Sequence, residues 1–344
     1  MEHIHRHFGK KDKMQHLWSM VGNTPMLEIN YTYKGEPRII YAKSEHYNLT
    51  GSIKDRMALY IMEQSYKLGF IKPGNEIIEA TSGNTGISFA AIGRALGHKV
   101  KIIMPDWLSK ERMAIIESMG AEIILISKAE GGFLGSIALS EKLAAEDKNV
   151  FLPKQFKNQF NALAHTLTTG PEIWMQLESI NRTPDAFIAG VGTGGTVMGV
   201  RNFLKEKSDK IKVHPLEPAE SPTLSAGHKI GSHRIQGISD EFIPDIVQLD
   251  KLDPVIQASD GDSILMARML ASKLGLAVGI SSGANFLGAV QLQNLYGADK
   301  TVVTIFCDSN KKYLSTDLMK EEPKKEGYLT PFIELEDYDA ISRV

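Results

Sequence analysis

The 344-residue chain carries 42% apolar and 23% charged residues and a formal net charge of −2. That is the balance of a soluble globular protein long enough for two domains. It leaves no basic footprint for nucleic acid, and no run of about 18 apolar residues predicts a membrane span. A single cysteine, Cys307, excludes an internal disulfide framework and suits a reducing compartment, so a cytoplasmic location is expected.

The opening "MEHIHRHFGKKDK" is charged and lacks the apolar core of a signal peptide. Its three histidines read as a weakly docked terminus, not a metal site, and no metal is expected elsewhere. At "YNLTGSIKDRMALYIM" (47–62) a glycine turn leads into a helix. Ala58, Ile61, Met62 and Tyr66 recur at i, i+3, i+4 and i+8, and Lys54 stands at the entrance. A lysine held there loses solvent, and it reads as a surface charge, a phosphate contact or an amine kept for covalent chemistry.

Strands are predicted for "NEIIEA" (75–80), "HKVKIIMP" (98–105), "AEIILIS" (121–127), "DAFIAGV" (185–191), "IKVHPLEP" (211–218), "LAVGISS" (276–282) and "TVVTIFCD" (301–308). Helical patterns lie between them at 88–96, 109–119, 136–146 and 196–205. The alternation predicts βαβ units, parallel sheets and an α/β fold. The charged, proline-punctuated stretch 320–344 reads as a peripheral tail. The loops "ATSGNTG", "GVGTGGT", "GISSGAN" and "CDSN" follow four of the predicted strands. Ligands of open α/β sheets bind at such carboxyl ends, so one shared site is expected.

"GVGTGGTVMGVRNFL" places Gly190, Gly192 and Gly195 in a G-x-G-x-x-G pattern between a strand and a helix. Three readings are open. One is a dinucleotide fingerprint, with Glu217, about 20 residues on, for a ribose hydroxyl. Another is a single phosphate at a helix N-terminus, with Thr193 and Thr196 adding hydroxyls. The last is a tight turn without a ligand. A nicotinamide dehydrogenase has no obvious use for "GSIKDR" and "TSGNTG". A pyridoxal phosphate enzyme needs a Schiff-base lysine, a phosphate cradle, a carboxylate grip and a partner for the ring nitrogen.

From "VGNTPML" at residue 21 to "KKYLSTDLM" at 319 the chain resembles the cysteine synthase family, fold-type II pyridoxal phosphate enzymes that include cystathionine β-synthase. The motifs "GSIKDR", "EATSGNTG", "MPDWLSKERMAIIESMGAEIIL", "KQFKNQFNALAH", "GVGTGGT", "IQGISDEFIP" and "GISSGAN" follow in order. The resemblance implies two α/β domains: a small substrate-loop domain over 47–160, and a large cofactor-binding domain from 1–46 plus 161–319. It implies a homodimer acting on a small amino acid with pyridoxal 5'-phosphate. By position, Lys54 would carry the cofactor covalently and move protons, and Asn84 would meet its ring hydroxyl. Thr81, Ser82, Gly83 and Thr85, with Gln155, would hold the substrate carboxylate, and Gly237 would line the pocket. Gly192, Thr193, Gly194, Gly195 and Thr196 would cradle the phosphate. Ser309 would face the ring nitrogen; a neutral hydroxyl there favours loss of a group from Cβ over transamination.

Three departures stand out. Asn48-Leu49-Thr50 replaces asparagine-proline-serine. Cys307-Asp308 stands where a proline and a small polar residue are common, and Cys307 reads as a buried structural thiol. "GISDEF" carries Asp240 and Glu241 where acetylserine-using synthases resemble each other in having small residues. Asp240 is read as a general base for water or a thiol, against the plainer reading of two solvated carboxylates. The expected chemistry is β-elimination or β-replacement. The leading reading converts L-cysteine to hydrogen sulfide and L-serine. Alternatives are cysteine synthesis from O-acetyl-L-serine, cystathionine or lanthionine synthesis, and a non-catalytic cofactor-binding regulatory partner.

Overall fold

The computed structural model describes residues 10–238 and 241–344. The N-terminal histidines and Asp240 therefore lie outside the described residues. In chain order the strands are β1 (Met26–Tyr33), β2 (Glu36–Ser44), β3 (Glu76–Ala80), β4 (Lys99–Pro105), β5 (Glu122–Ile126) and β6 (Val150–Phe151). They continue with β7 (Ala186–Gly190), β8 (Lys212–Pro218), β9 (Ile256–Ala258), β10 (Val302–Phe306) and β11 (Ile333–Ile341).

Two sheets result. The smaller runs β5-β4-β3-β6 and is parallel throughout. The larger runs β11-β1-β2-β10-β7-β8-β9. Its pairings from β2 through β9 are parallel, and β1 is antiparallel to both neighbours. β10 is buried at every position, because helices cover both of its faces. β1 alternates buried and half-buried residues after Leu27, as a strand with one covered face does.

The structure corrects the sequence reading in several places. "LAVGISS" is no strand: only Val278 bridges to Ser309, and a helix begins at once, Ile280–Tyr296. Gly279 lies against the Asp308 carboxylate, where a Cβ would overlap it. The chain therefore meets the exit of β10 end-on instead of running alongside it. The tail does more than sit at the periphery, since β11 hydrogen-bonds along β1. Its exposed residues include Glu334, Glu336, Asp337 and Asp339, charges that discourage further strand addition at an edge. Met14 and Leu17 of the helix Lys10–Trp18 pack with Met57, Ile61, Ile87 and Ile102 in the small-sheet core, although their stretch was expected to belong with the large domain.

A buried ion cluster joins these parts at the helix Lys54–Lys67. Arg56 is fully buried. Its Nε and Nη2 donate to Glu45, just after β2, at 2.6 and 2.8 Å, and its Nη1 and Nη2 donate to Glu172 at 2.7 Å each. Lys43 of β2 lies 2.7 Å from Glu172, on the helix Thr169–Ser179, and also donates to the Thr24 carbonyl. Gly22, at φ +80°, leaves room for the guanidinium: a Cβ would stand 3.0 Å from Arg56 Nη1. Burial alone would raise the Glu45 carboxyl, but Arg56, Lys43 and Thr24 hold it down to about 2. Glu172 is also lowered: burial and the neighbouring Glu45 raise it, but Arg56 and Lys43 outweigh them.

Removing one partner of this cluster, as in Glu172→Ala, strands buried positive charge. It is expected to lower unfolding free energy by roughly 3 kcal/mol, read as a lower denaturant midpoint. Because the folded carboxyl values are depressed, the contribution is complete above the ordinary value of 4.5 and is lost as pH falls toward about 2. An acid titration of tryptophan fluorescence should show unfolding in that window, displaced upward in Arg56→Met.

Candidate active site

Lys54 is the first residue of its helix. Two backbone links to the exit of β10 fix the turn before it: Ile53 N donates to Cys307 O at 2.9 Å, and Ser52 bridges Asp308. Thr50 braces the turn, its N and Oγ1 both donating to the Asp55 carboxylate at 2.6 Å, with Ser88 Oγ adding a third bond at 2.6 Å. The unusual Asn48-Leu49-Thr50 thus builds a complete turn: Asn48 also accepts from Gly22 N at 2.7 Å and donates to Glu45. Among the described residues, Lys54 Nζ has no hydrogen-bond or ion-pair partner, and the side chain lines a cavity between the two sheets.

The loop after β3 forms the facing wall, where Thr81, Ser82, Asn84 and Thr85 line the cavity together with Gln155. Gly83, at φ +140°, opens the helix Asn84–Ala95 and packs so closely on Arg112 that a Cβ would overlap it. Gln155 is locked in place, donating to Ala80 O at 2.7 Å and accepting from Thr85 Oγ1 at 2.6 Å. A loop of N–H groups and hydroxyls at a helix start suits a carboxylate.

On the opposite wall Gly192, Thr193, Thr196 and Gly237 line the cavity. Gly194 and Gly195 complete the loop at the start of the helix Gly195–Lys207, whose first N–H groups have no intrahelical partners. Side chains are excluded there. A Cβ on Gly192 would overlap the Gly237 carbonyl, on Gly194 the Val247 side chain, and on Gly195 the Asn161 amide. Thr193 Oγ1 accepts from Asn161 at 2.9 Å. Thr196 Oγ1 lies 3.4 Å from His165, whose ring burial holds at about 3, hence neutral. This donor set fits one phosphate. The dinucleotide reading loses its ribose partner, because the Glu217 carboxylate is consumed by Leu224 N at 2.7 Å, Ser225 Oγ at 2.5 Å and Gln257 at 3.1 Å.

Ser309 is not among the cavity-lining residues; its Oγ accepts from Lys311 N at 3.3 Å in a short turn. Ser281, at the start of the helix Ile280–Tyr296, lines the cavity instead. Ser281 lies at the end of one segment read as a strand and Ser309 just after another. The sequence reading also missed Arg112, Gln236 and Phe156. Arg112 reaches from the helix Lys110–Ser118 to donate to Gln236, and Phe156 stacks edge-on with Phe242 at 5.2 Å. These contacts bridge the lobes beside the cavity.

Cys307 lines the cavity, and burial pushes its thiol up to about 11. Glu241 accepts from Lys229 Nζ at 2.7 Å and lines an outer chamber of about 480 Å³. Ser82, Gln236, Gly237 and Ile238 are shared by the two spaces. Asp240 precedes Glu241 in this loop but lies outside the described residues. Together these residues offer an unpartnered amine, a phosphate cradle, a carboxylate grip and a neutral hydroxyl around one space, which fits pyridoxal phosphate with an amino acid.

Comparison with known proteins bears on the same chemistry. Residues 17–308 match the family described as pyridoxal-phosphate dependent enzymes. A probable cysteine synthase of Bacillus subtilis is 41% identical over 87% of this chain and 96% of its own. The crystal structure of a hydrogen sulfide-producing enzyme from Fusobacterium nucleatum superposes with a TM-score of 0.94 at 55% identity, covering 96% of this chain and 99% of that one. An aspartate-to-asparagine variant of that enzyme has been solved in complex with an α-aminoacrylate intermediate. A cysteine synthase of Entamoeba histolytica gives a TM-score of 0.82 at 35% identity, covering 96% of each chain.

With its thiol held at about 11, Cys307 is almost wholly protonated at pH 8. Iodoacetamide should label it more than 100-fold more slowly than free cysteine, followed by mass spectrometry. Fast labelling would reveal a reactive thiol where the structure shows a structural one.

Proposed function

This chain belongs to the pyridoxal-phosphate dependent enzymes, and on that premise we propose that it converts L-cysteine and water to hydrogen sulfide and L-serine. β-Elimination or β-replacement on an amino acid, with pyridoxal phosphate, is the chemistry of its cysteine synthase-like relatives and of this chain. The choice of L-cysteine rests on one observation above the others: the acidic pair Asp240–Glu241 in the loop that carries Gly237. It is supported by the likeness to a hydrogen sulfide-producing enzyme.

In this reading Gly192, Thr193, Gly194, Gly195 and Thr196 hold the cofactor phosphate, Asn84 meets the ring hydroxyl, and Lys54 is the attachment point. Ser281 takes the place beside the ring nitrogen first assigned to Ser309. The bound cofactor supplies the electron sink that lets the Cα proton and the Cβ–S bond be lost. Thr81, Ser82, Gly83, Thr85 and Gln155 grip the substrate carboxylate, which sets Cα before Lys54. The Lys54 amine takes the Cα proton and later returns one to the same carbon. Sulfide leaves from Cβ. Asp240 takes a proton from water as its oxygen bonds to Cβ, giving serine. The variant relative solved with an α-aminoacrylate supports an aspartate that acts in the second half of such a reaction. The enzyme works as a homodimer in the cytoplasm.

The second reading, O-acetyl-L-serine plus sulfide to L-cysteine, is favoured by the names of the Bacillus and Entamoeba relatives. Incubation with L-cysteine alone separates the two. Sulfide and serine should appear in equal amounts; sulfide no higher than in an enzyme-free blank rejects the proposal. Asp240→Asn should cut serine output roughly 100-fold or more while the visible absorption of bound cofactor persists. Undiminished serine removes Asp240 from its role.

A further inference from the structure

We propose that Asp308 and Lys312 are positioning residues that fix the direction of the Asn84 carboxamide against the cofactor ring; the inference rests on the pyridoxal phosphate reading of the cavity. An asparagine side chain has two ends of nearly the same shape, and only its partners decide which end donates. Here both ends are specified by full charges. Lys312 Nζ, a pure donor, meets Asn84 Oδ1 at 2.9 Å. Asp308 Oδ2 accepts from Asn84 Nδ2 at 2.7 Å. Turning the amide over would set an ammonium against NH2 and a carboxylate against a carbonyl oxygen. Nδ2 carries two hydrogens, and Asp308 occupies one. The other remains for a ligand in the cavity that Asn84 lines.

The supporting groups are themselves fixed. Asp308 is fully buried, and its Oδ2 also accepts from Tyr313 OH at 2.5 Å. Its Oδ1 has no partner among the described residues and faces the bare Cα of Gly279. Arg112 covers the Tyr313 ring at 4.5 Å. Lys312 is 4% exposed and donates as well to Gly51 O at 3.1 Å, in the turn that delivers Lys54. One ammonium therefore touches both the attachment turn and the ring-facing amide. A small neutral side chain at position 308 would accept or donate equally and would leave the amide free to turn.

The test uses the holoenzyme. Asp308→Asn keeps the shape and removes the one-way acceptor. The expected result is a two- to tenfold rise in the cofactor dissociation constant, roughly the loss of one hydrogen bond, with a displaced visible absorption band. Lys312→Met should act in the same direction and serves if the first variant does not fold. In an Asn84→Ala background, Asp308→Asn should change neither quantity further, because the effect runs through Asn84. Wild-type affinity and spectrum in both single variants overturns the proposal. So does an undiminished effect of Asp308→Asn without Asn84. Wild-type protein that takes up no cofactor at all overturns the underlying reading instead, and this inference with it.

Discussion

The position of Lys54 depends on a guanidinium two residues away. Arg56 stands where the small-sheet core, the β1–β2 hairpin and the helix Thr169–Ser179 converge, and it is fully enclosed by Glu45, Glu172 and Thr24. An ion cluster of this kind is a poor source of net stability compared with apolar packing, and registry is its best-attested use. A planar fork with two carboxylates accepts only one arrangement. The first turn of the helix is thus held at a set rotation, which aims Lys54 into the cavity and keeps its amine clear of the nearby acids. The same helix buries Met57, Leu59 and Ile61, so a shift that moved the lysine would also open the core.

Much of this was legible in the sequence because strand and helix periods are local properties. The parallel strands β3, β4, β5, β7, β8 and β10 all lie within segments whose apolar runs announce them. β11 escaped because its pairing joins the two ends of the chain, Met26 opposite Ile341, and no local pattern reports that register; the first hairpin, closed locally at Tyr33 and Glu36, was not among the predicted strands. "LAVGISS" has the composition of a strand but ends against Asp308, a contact decided in three dimensions. The site followed the same division. Residues of the loops after β3 and β7 line one space, and so does Ser281, whereas Ser309 does not. Arg112 was hidden because its value comes from spanning the lobes to Gln236.

Two features set the chemistry of the cavity apart from a general pyridoxal phosphate site. In the proposed reading the group beside the ring nitrogen would be a hydroxyl, which would not stabilise a long-lived Cα carbanion, so departure from Cβ would be the favoured course. Near the mouth Glu241 is paired with Lys229, and the Gly237 carbonyl packs where a Cβ on Gly192 would stand.

The whole account requires that the cofactor be joined to one particular lysine among several near the site. Borohydride reduction of the yellow holoenzyme, followed by peptide mapping, tests this directly. The account predicts a pyridoxyl label on Lys54 alone. A label on Lys312 or Lys43, or no labelled peptide at all, would contradict it.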